Sequence, residues 1–334
     1  VEQQSCLIIG GGISGLMAGT VLQRQGIHVT LLDKGRGIGG RLATRRISHP
    51  VTGEGVFDYG AQYFTVSHPL FQQWVDDWLQ QGIVGEWSQQ LDEPGRPCYR
   101  GSLSNRSIAK FLAQNLEVHT QARAVQITWE SSQWLVRAEN GASFQGDRLL
   151  ITSPVPQTLA LLNNSAIALP TDLKNRLEQI TYHPCIAVLA LLEKPAAIPE
   201  PGGLRLNDSS LAWIACNRQK GISPQANAAT LHATPAFSQI HWETDNATTA
   251  KKLFEIASPW LGSSVVDYQV HRWRYSQPQT CFGEAYLGLR EPGLFALAGD
   301  AFSTTPLGEP STHLEKAALS GLAAADYLLK DNAA

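Results

Sequence analysis

Two glycine-rich segments near the N-terminus carry the sharpest chemical signal. Gly10-Gly11-Gly12-Ile13-Ser14-Gly15 fits the pattern G-x-G-x-x-G, with Gly10, Gly12 and Gly15 in the three fixed slots. Gly10 permits a tight turn. Gly12 lets backbone approach a pyrophosphate, and Gly15 lets a helix sit close on a strand. Ile13 and Ser14 stand in the same loop as candidate cofactor contacts, and the N-terminus of the helix that follows would turn free N–H groups and a positive dipole end toward that phosphate. Asp33 follows at the distance expected of a carboxylate that accepts hydrogen bonds from a ribose diol. Directly after it comes a second glycine-rich loop, Lys34-Gly35-Arg36-Gly37-Ile38-Gly39-Gly40-Arg41. A fold that binds only a nicotinamide dinucleotide does not need this loop. A flavin protein does, because FAD lies extended and a second loop wraps its pyrophosphate and ribityl region. Lys34, Gly39 and Gly40 belong to that wrap, and Arg41 would offer its guanidinium to phosphate oxygens.

These groups require a strand–helix–strand frame. Cys6-Leu7-Ile8-Ile9 reads as a buried parallel strand. Leu16 to Gln25 reads as a helix that Gly26 ends, and Val29 to Leu32 as a second strand closing on Asp33. Far downstream, the apolar run Gly293 to Ala298 ends in Gly299-Asp300. An Ala- and Leu-rich helix is expected from about Thr312 to Lys330. Its positive end would stabilise negative charge on the N1/C2=O edge of a flavin.

Composition bounds the rest. A chain of 334 residues suggests about two domains. Hydrophobic residues make up 43%, enough for a sizeable core. There are 26 Lys and Arg against 29 Asp and Glu, with no block of like charge, which argues against a nucleic-acid partner. The longest apolar runs, such as Ile186 to Leu192, fall far short of the ~18 residues of a membrane helix. Five widely spaced cysteines without a Cys-x-x-Cys argue against a disulfide framework or thiolate zinc site. The nine histidines show no ligand spacing, and no Gly-x-Ser-x-Gly is present. No metal is expected. Without a leader pattern at the N-terminus, the expectation is a soluble cytoplasmic protein of a reducing compartment.

The remaining segments organise around these motifs. His68 to Gln81 is amphipathic at helical spacing, and Ser107 to Asn115 is a shorter helix. Val125 to Trp129 and Trp134 to Arg137 alternate like strands, with Asn140-Gly141 as a hairpin turn. Arg148 to Thr152 reads as a strand returning to the first sheet. Cys185 to Leu192, Leu211 to Cys216, Thr230 to Thr234 and Val265 to Arg274 read as strands of a second sheet, with a helix over Ala247 to Trp260.

Taken together, the motifs resemble the FAD-dependent amine oxidase-like superfamily, whose FAD domain is of glutathione-reductase type. Within it the chain is similar to the renalase-like proteins. The resemblance rests on the two glycine loops and on Phe57-Asp58-Tyr59-Gly60-Ala61-Gln62-Tyr63-Phe64-Thr65. It rests also on Thr152-Ser153-Pro154-Val155-Pro156-Gln157, on His271-Arg272-Trp273-Arg274-Tyr275-Ser276-Gln277-Pro278 and on Ala298-Gly299-Asp300. It implies an α/β fold in which a Rossmann-type FAD-binding domain is assembled from residues 1–75, 100–165 and 280–334. Residues 76–99 and 166–279 would form a second, mixed-sheet α+β substrate domain. It implies noncovalent FAD, since no cysteine stands in a flavin-attachment context. Gly60, Ala61 and Gln62 would shape the FAD edge, Val125 would pack on the adenine, and Asp300 would bond the ribityl or pyrophosphate part. Gln62, Tyr63, His232, Trp273 and Tyr275 are the candidates for catalysis at the substrate face, while Arg272 and Arg274 could meet a substrate phosphate.

The activity implied is oxidation of 2- or 6-dihydro isomers of NAD(P)H to NAD(P)+, by hydride transfer to flavin N5, with O2 reduced to H2O2. The ring nitrogen of such a donor drives the transfer, so no protein base is required. Two alternatives stay open. A flavin-dependent amine oxidase would want an aromatic cage and commonly a lysine at the flavin, and Lys194, Lys220, Lys251 and Lys252 have no such context in sequence. A non-catalytic FAD-binding redox sensor would bind the cofactor without turnover. The chain departs from the family pattern over residues 301–310 and lacks a Gly-Met start near Gly101-Ser102-Leu103.

Overall fold

Alternation along the strand Ser5–Ile9 sets the central layer. Cys6 and Ile8 point to one face and pack with the helices Ile13–Arg24 and His313–Leu329. Leu7 and Ile9 point to the other and pack with Ile127, Trp134 and Val136. Both faces are covered, which is why the strand is apolar throughout. The computed structural model describes residues 3–93, 95–304 and 312–330; residues 305–311, most of the segment that departs from the family pattern, lie outside it.

The first sheet has six strands in the order Leu287–Leu289, Phe295–Leu297, Arg148–Ile151, Ser5–Ile9, His28–Leu32 and Glu117–His119. The first of these pairs antiparallel, and every other neighbour pair is parallel. The strand Phe295–Leu297 therefore returns to the N-terminal sheet, beside Arg148–Ile151. The two helices on one face meet closely: a Cβ on Gly321 would stand 2.1 Å from the Ser14 carbonyl oxygen. A three-stranded meander, Ala124–Glu130, Gln133–Ala138 and Ser143–Gly146, covers the opposite face. The helix Pro69–Gln80 joins the first core through Phe71, Val75 and Trp78.

The second sheet has five antiparallel strands in the order Gly203–Arg205, Leu211–Cys216, Asn227–Ala233, Tyr182–Leu192 and Val265–Pro278. Ile186, Val188 and Leu231 face the helix Asn246–Leu261. Ala187 and Leu189 face Ile47, Phe57 and Tyr59 of the hairpin Thr44–His49 and Gly53–Asp58 and the residue after it. That hairpin packs on the second sheet, and its polar residues mask the alternation in the sequence. Among the described residues no helix is long and apolar enough to cross a membrane.

Candidate active site

Sequence distance collapses at the two glycine loops. Gly10 turns at φ 120° out of the first strand. The Gly39 N–H donates to the Gly11 carbonyl at 2.7 Å, joining one loop to the other. Asp33 ties both: its carboxylate accepts from Gly11 N at 2.7 Å and from Gly35 N at 2.6 Å. Each oxygen thus takes one backbone N–H, and each keeps a further lone pair for a ribose hydroxyl. Gly15 has the packing role expected of it, since a Cβ there would stand 2.1 Å from the Gly10 carbonyl oxygen.

A cavity of about 2230 Å³ runs from these loops to the second sheet. Drug-sized pockets hold roughly 300–1,000 Å³, so this one has room for an extended dinucleotide and a second molecule. Gly10, Gly12, Ile13, Ser14, Asp33, Lys34, Gly39, Gly40 and Arg41 line it, as do Gly60, Ala61, Gln62, Val125, Gly299 and Asp300. The meander carries Val125 there through a bulge: Ala124 pairs with Ala138 and Gln126 with Arg137, which leaves Val125 as the extra residue.

The residues at the loop end fit a phosphate-bearing cofactor. Ser14 is buried, and its Oγ has no hydrogen-bond partner among the described residues. Beyond its own stretch of chain, no described atom lies within 4 Å of the place where a Cβ on Gly12 would stand. The helix Ile13–Arg24 begins without a side-chain cap or an acidic residue in its first turn. An unpartnered hydroxyl and an uncapped helix start on one cavity suit an anion.

Arg41 and Asp300, expected at the phosphate and at the ribityl or pyrophosphate part, meet each other at the cavity wall. Arg41 donates to Asp300 through both terminal nitrogens, at 2.5 and 2.8 Å, and to the Ser276 carbonyl at 3.0 Å. Lys34 donates to the Gln157 side chain.

The five-stranded sheet forms the opposite wall. Arg205, Trp213, His232, Ala187 and His271 stand in register across its five strands. All but Ala187 line the cavity, together with Tyr63, Trp273 and Tyr275. At one end of the row, Trp273 stacks on Tyr59 with ring centroids 5.1 Å apart, and His271 meets both rings edge-on. The Tyr59 carbonyl accepts from Trp273 Nε1 at 2.8 Å and from His232 Nε2 at 3.1 Å. A carbonyl can only accept, so His232 carries its proton on Nε2 and leaves Nδ1 as a lone pair. Burial pushes the His232 pKa down to about 4, against the hydrogen bond to Tyr59. Burial, with Arg45 beside it, brings His271 down to about 4 as well. Both rings are neutral at neutral pH.

At the other end, Tyr63, Trp87 and Trp213 cluster, and Arg205 lies over the rings of Tyr63 and Trp213. The Tyr63 hydroxyl accepts from Arg205. Tyr275 meets Tyr182 edge-on. The Gln62 amide donates to the carbonyls of Asp58 and Gly60, which leaves its buried Oε1 without a partner among the described residues.

Sequence reasoning missed several lining residues. Tyr59, Arg45 and His271 come from the hairpin and its neighbouring strand. Trp213 and Arg205 are revealed only by the strand register. Arg272, a candidate for substrate phosphate, is instead committed to Asn246 and to the carbonyls of Trp242 and Thr244. Arg274 lies over the Trp242 ring. Lys220 is away from the cavity lining, in a fully buried ion pair with Asp58 at 2.7 Å.

An NAD(P)-binding Rossmann-like domain model matches residues 8–78. The mouse (Mus musculus) protein renalase is 25% identical over 291 residues, covering 81% of this chain and 84% of renalase. Two solved structures share the fold over 98% of this chain and 99% of their own. A putative protoporphyrinogen oxidase from Exiguobacterium sp. 255-15 has a TM-score of 0.67 at 14% identity. A putrescine oxidase variant redesigned in cofactor binding has a TM-score of 0.65 at 13% identity. A model of the flavin containing amine oxidoreductases matches residues 91–329. The chain belongs to that family and is an FAD-dependent oxidoreductase.

Proposed function

We propose that this enzyme oxidises a reduced nicotinamide dinucleotide of the 2- or 6-dihydro type to NAD(P)+, with O2 taking the electrons as H2O2. The charge of the cavity carries the reading. Ten Lys and Arg and four Asp and Glu line it among the described residues, although the chain as a whole has a net charge of −3. Such a surplus attracts anions and raises their local concentration. The pyrophosphate of FAD uses part of it, and a second dinucleotide suits the rest. A protonated amine would enter against it.

When bound, FAD supplies the two-electron acceptor: the donor gives up hydride and becomes an aromatic pyridinium, and O2 with one proton leaves as H2O2. We assign its noncovalent binding to residues 1–75, 100–165 and 280–334, with 166–279 contributing the substrate face and 76–99 running from the first core at Trp78 to the cluster of Trp87 with Tyr63 and Trp213. Trp273 and Tyr59 present a stacked planar wall suited to a ring. Nδ1 of His232 is an acceptor suited to a carboxamide N–H. Gln62 Oε1 is a further acceptor, held at the Gly60–Ala61 edge. No side chain has to remove a proton from such a donor, because its ring nitrogen drives hydride loss. The two neutral histidines orient without adding charge.

Amine oxidation draws on one feature, the aromatic trio Tyr63, Trp87 and Trp213. The cation lying over two of those rings is the protein's own Arg205, which leaves that cluster poorly suited to a second cation. Oxygen consumption distinguishes the readings. The proposal expects turnover with 2- or 6-dihydronicotinamide dinucleotides that slows as salt screens the cavity. Turnover with primary amines, and none with the dinucleotides, would reverse it.

A further inference from the structure

Arg41 commits its guanidinium to Asp300 and the Ser276 carbonyl, so the arginine expected at the pyrophosphate is already paired. A different arginine approaches the second glycine loop. Arg106, the second residue of the helix Asn105–Leu112, lines the same cavity. Its guanidinium lies over Gly37 of the second loop. A Cβ on Gly37 would stand 2.0 Å from one terminal nitrogen and 2.9 Å from the central carbon. Nε of Arg106 is buried and has no hydrogen-bond partner among the described residues. A guanidinium carries five donors and does not lose its proton, and a buried charged donor without an acceptor is costly.

The base of this side chain is rigid. The Asn105 side chain accepts from Gly101 N at 2.9 Å and donates to the Ala61 carbonyl at 2.6 Å. The Asn105 N–H donates to the buried Asp58 carboxylate. The helix start is thereby fixed to the Gly60–Ala61 edge, and Arg106 projects from it over Gly37 of the second loop.

We infer that Arg106 is a pyrophosphate-binding arginine for FAD, and that position 37 is glycine so that this guanidinium can lie across the loop. The inference rests on FAD being the cofactor and not on the identity of the electron donor. Arg106 is a binding residue in this reading, with no part in hydride transfer.

The test is titration of the full-length apoprotein with FAD and, separately, with riboflavin, which lacks phosphate, each over a range of NaCl concentrations. Arg106→Gln is expected to raise the FAD Kd about tenfold to a hundredfold, as for loss of a charge-assisted hydrogen bond. It should flatten the salt dependence and leave the riboflavin Kd unchanged. Arg106→Lys keeps the charge without the fork and should fall between. Gly37→Ala leaves the arginine in the chain but puts a methyl where its guanidinium lies. It should repeat the FAD loss, and combined with Arg106→Gln it should add nothing further. FAD affinity within twofold of the parent in Arg106→Gln would overturn the inference. Equal losses for FAD and riboflavin would also overturn it, because a structural role moves both. Neither titration contains an electron donor, so the result stands apart from the proposed oxidation.

Discussion

Arg41 and Asp300, 259 positions apart, meet in a two-pronged ion pair at 2.5 and 2.8 Å that joins the second glycine loop to the end of the C-terminal strand. Asp300 is buried, and Arg41 keeps partial access to solvent. Removing one partner strands the other. Asp300→Ala is expected to lower the stability of the cofactor-free protein by roughly 2–3 kcal/mol, below the range for fully buried pairs because Arg41 can rehydrate. Urea denaturation measures this. Arg41→Met combined with Asp300→Leu should lie closer to the parent than Asp300→Ala does.

Asp58 and Lys220 form the deeper pair, with neither side chain exposed. Burial pushes the Lys220 pKa down, and Asp58 opposes that shift. Lys220→Met leaves a buried carboxylate that still accepts from Thr44 and Asn105. The expected loss is about 3–5 kcal/mol. Adding Asp58→Asn should restore part of it, and thermal denaturation of the single and double variants checks the sign of the coupling.

His232 and His271 set an acid limit. Their folded pKa values, about 4, lie below the usual histidine value of 6.5. Between these values the unfolded chain binds protons that the folded chain does not. Their contribution is therefore fully present above pH 6.5 and is lost as pH falls toward about 4. Each histidine adds at most about 1.4 kcal/mol per pH unit to that slope. The variant His232→Gln with His271→Gln should show a shallower stability loss from pH 6.5 to 4 when unfolding is measured at each pH. A slope unchanged from the parent would mean that the rings titrate normally.

The Trp273–Tyr59 stack tests the wall assigned to the donor ring. Aromatic pairs contribute about 0.5–1.5 kcal/mol beyond buried area. Trp273→Leu also frees the Tyr59 carbonyl that holds His232. A loss of about tenfold or more in kcat/KM for the dinucleotide is expected, with FAD affinity unchanged. Trp273→Phe keeps a ring but not the Nε1–H donor, and should be less affected.

Much of the cofactor end is legible in the sequence because its groups are local. Gly10 to Gly15, Asp33 and the second loop lie within thirty-two positions of one another, and each has a backbone reason for its residue type. The apolar alternation of Cys6 to Ile9 likewise fixes which residues face which layer. The substrate end is built from register. Arg205, Trp213, His232 and His271 meet only because four strand pairings align them, and no spacing along the chain encodes that row. Charge pairing was equally hidden. Arg41 and Asp300 each look like a cofactor ligand when read alone, and Lys220 looks like a surface lysine until Asp58 is placed beside it.

The central claim is the identity of the electron donor, and anaerobic stopped-flow mixing of the FAD-loaded protein tests it most directly. The visible absorption of the flavin would be followed against 2-, 6- and 4-dihydronicotinamide dinucleotides and against a panel of amines. Rapid bleaching by the 2- or 6-dihydro isomers, with slow or no bleaching by the 4-dihydro form and the amines, is the predicted result. Rapid bleaching by an amine, or a flavin that none of the dinucleotides reduces, would contradict it.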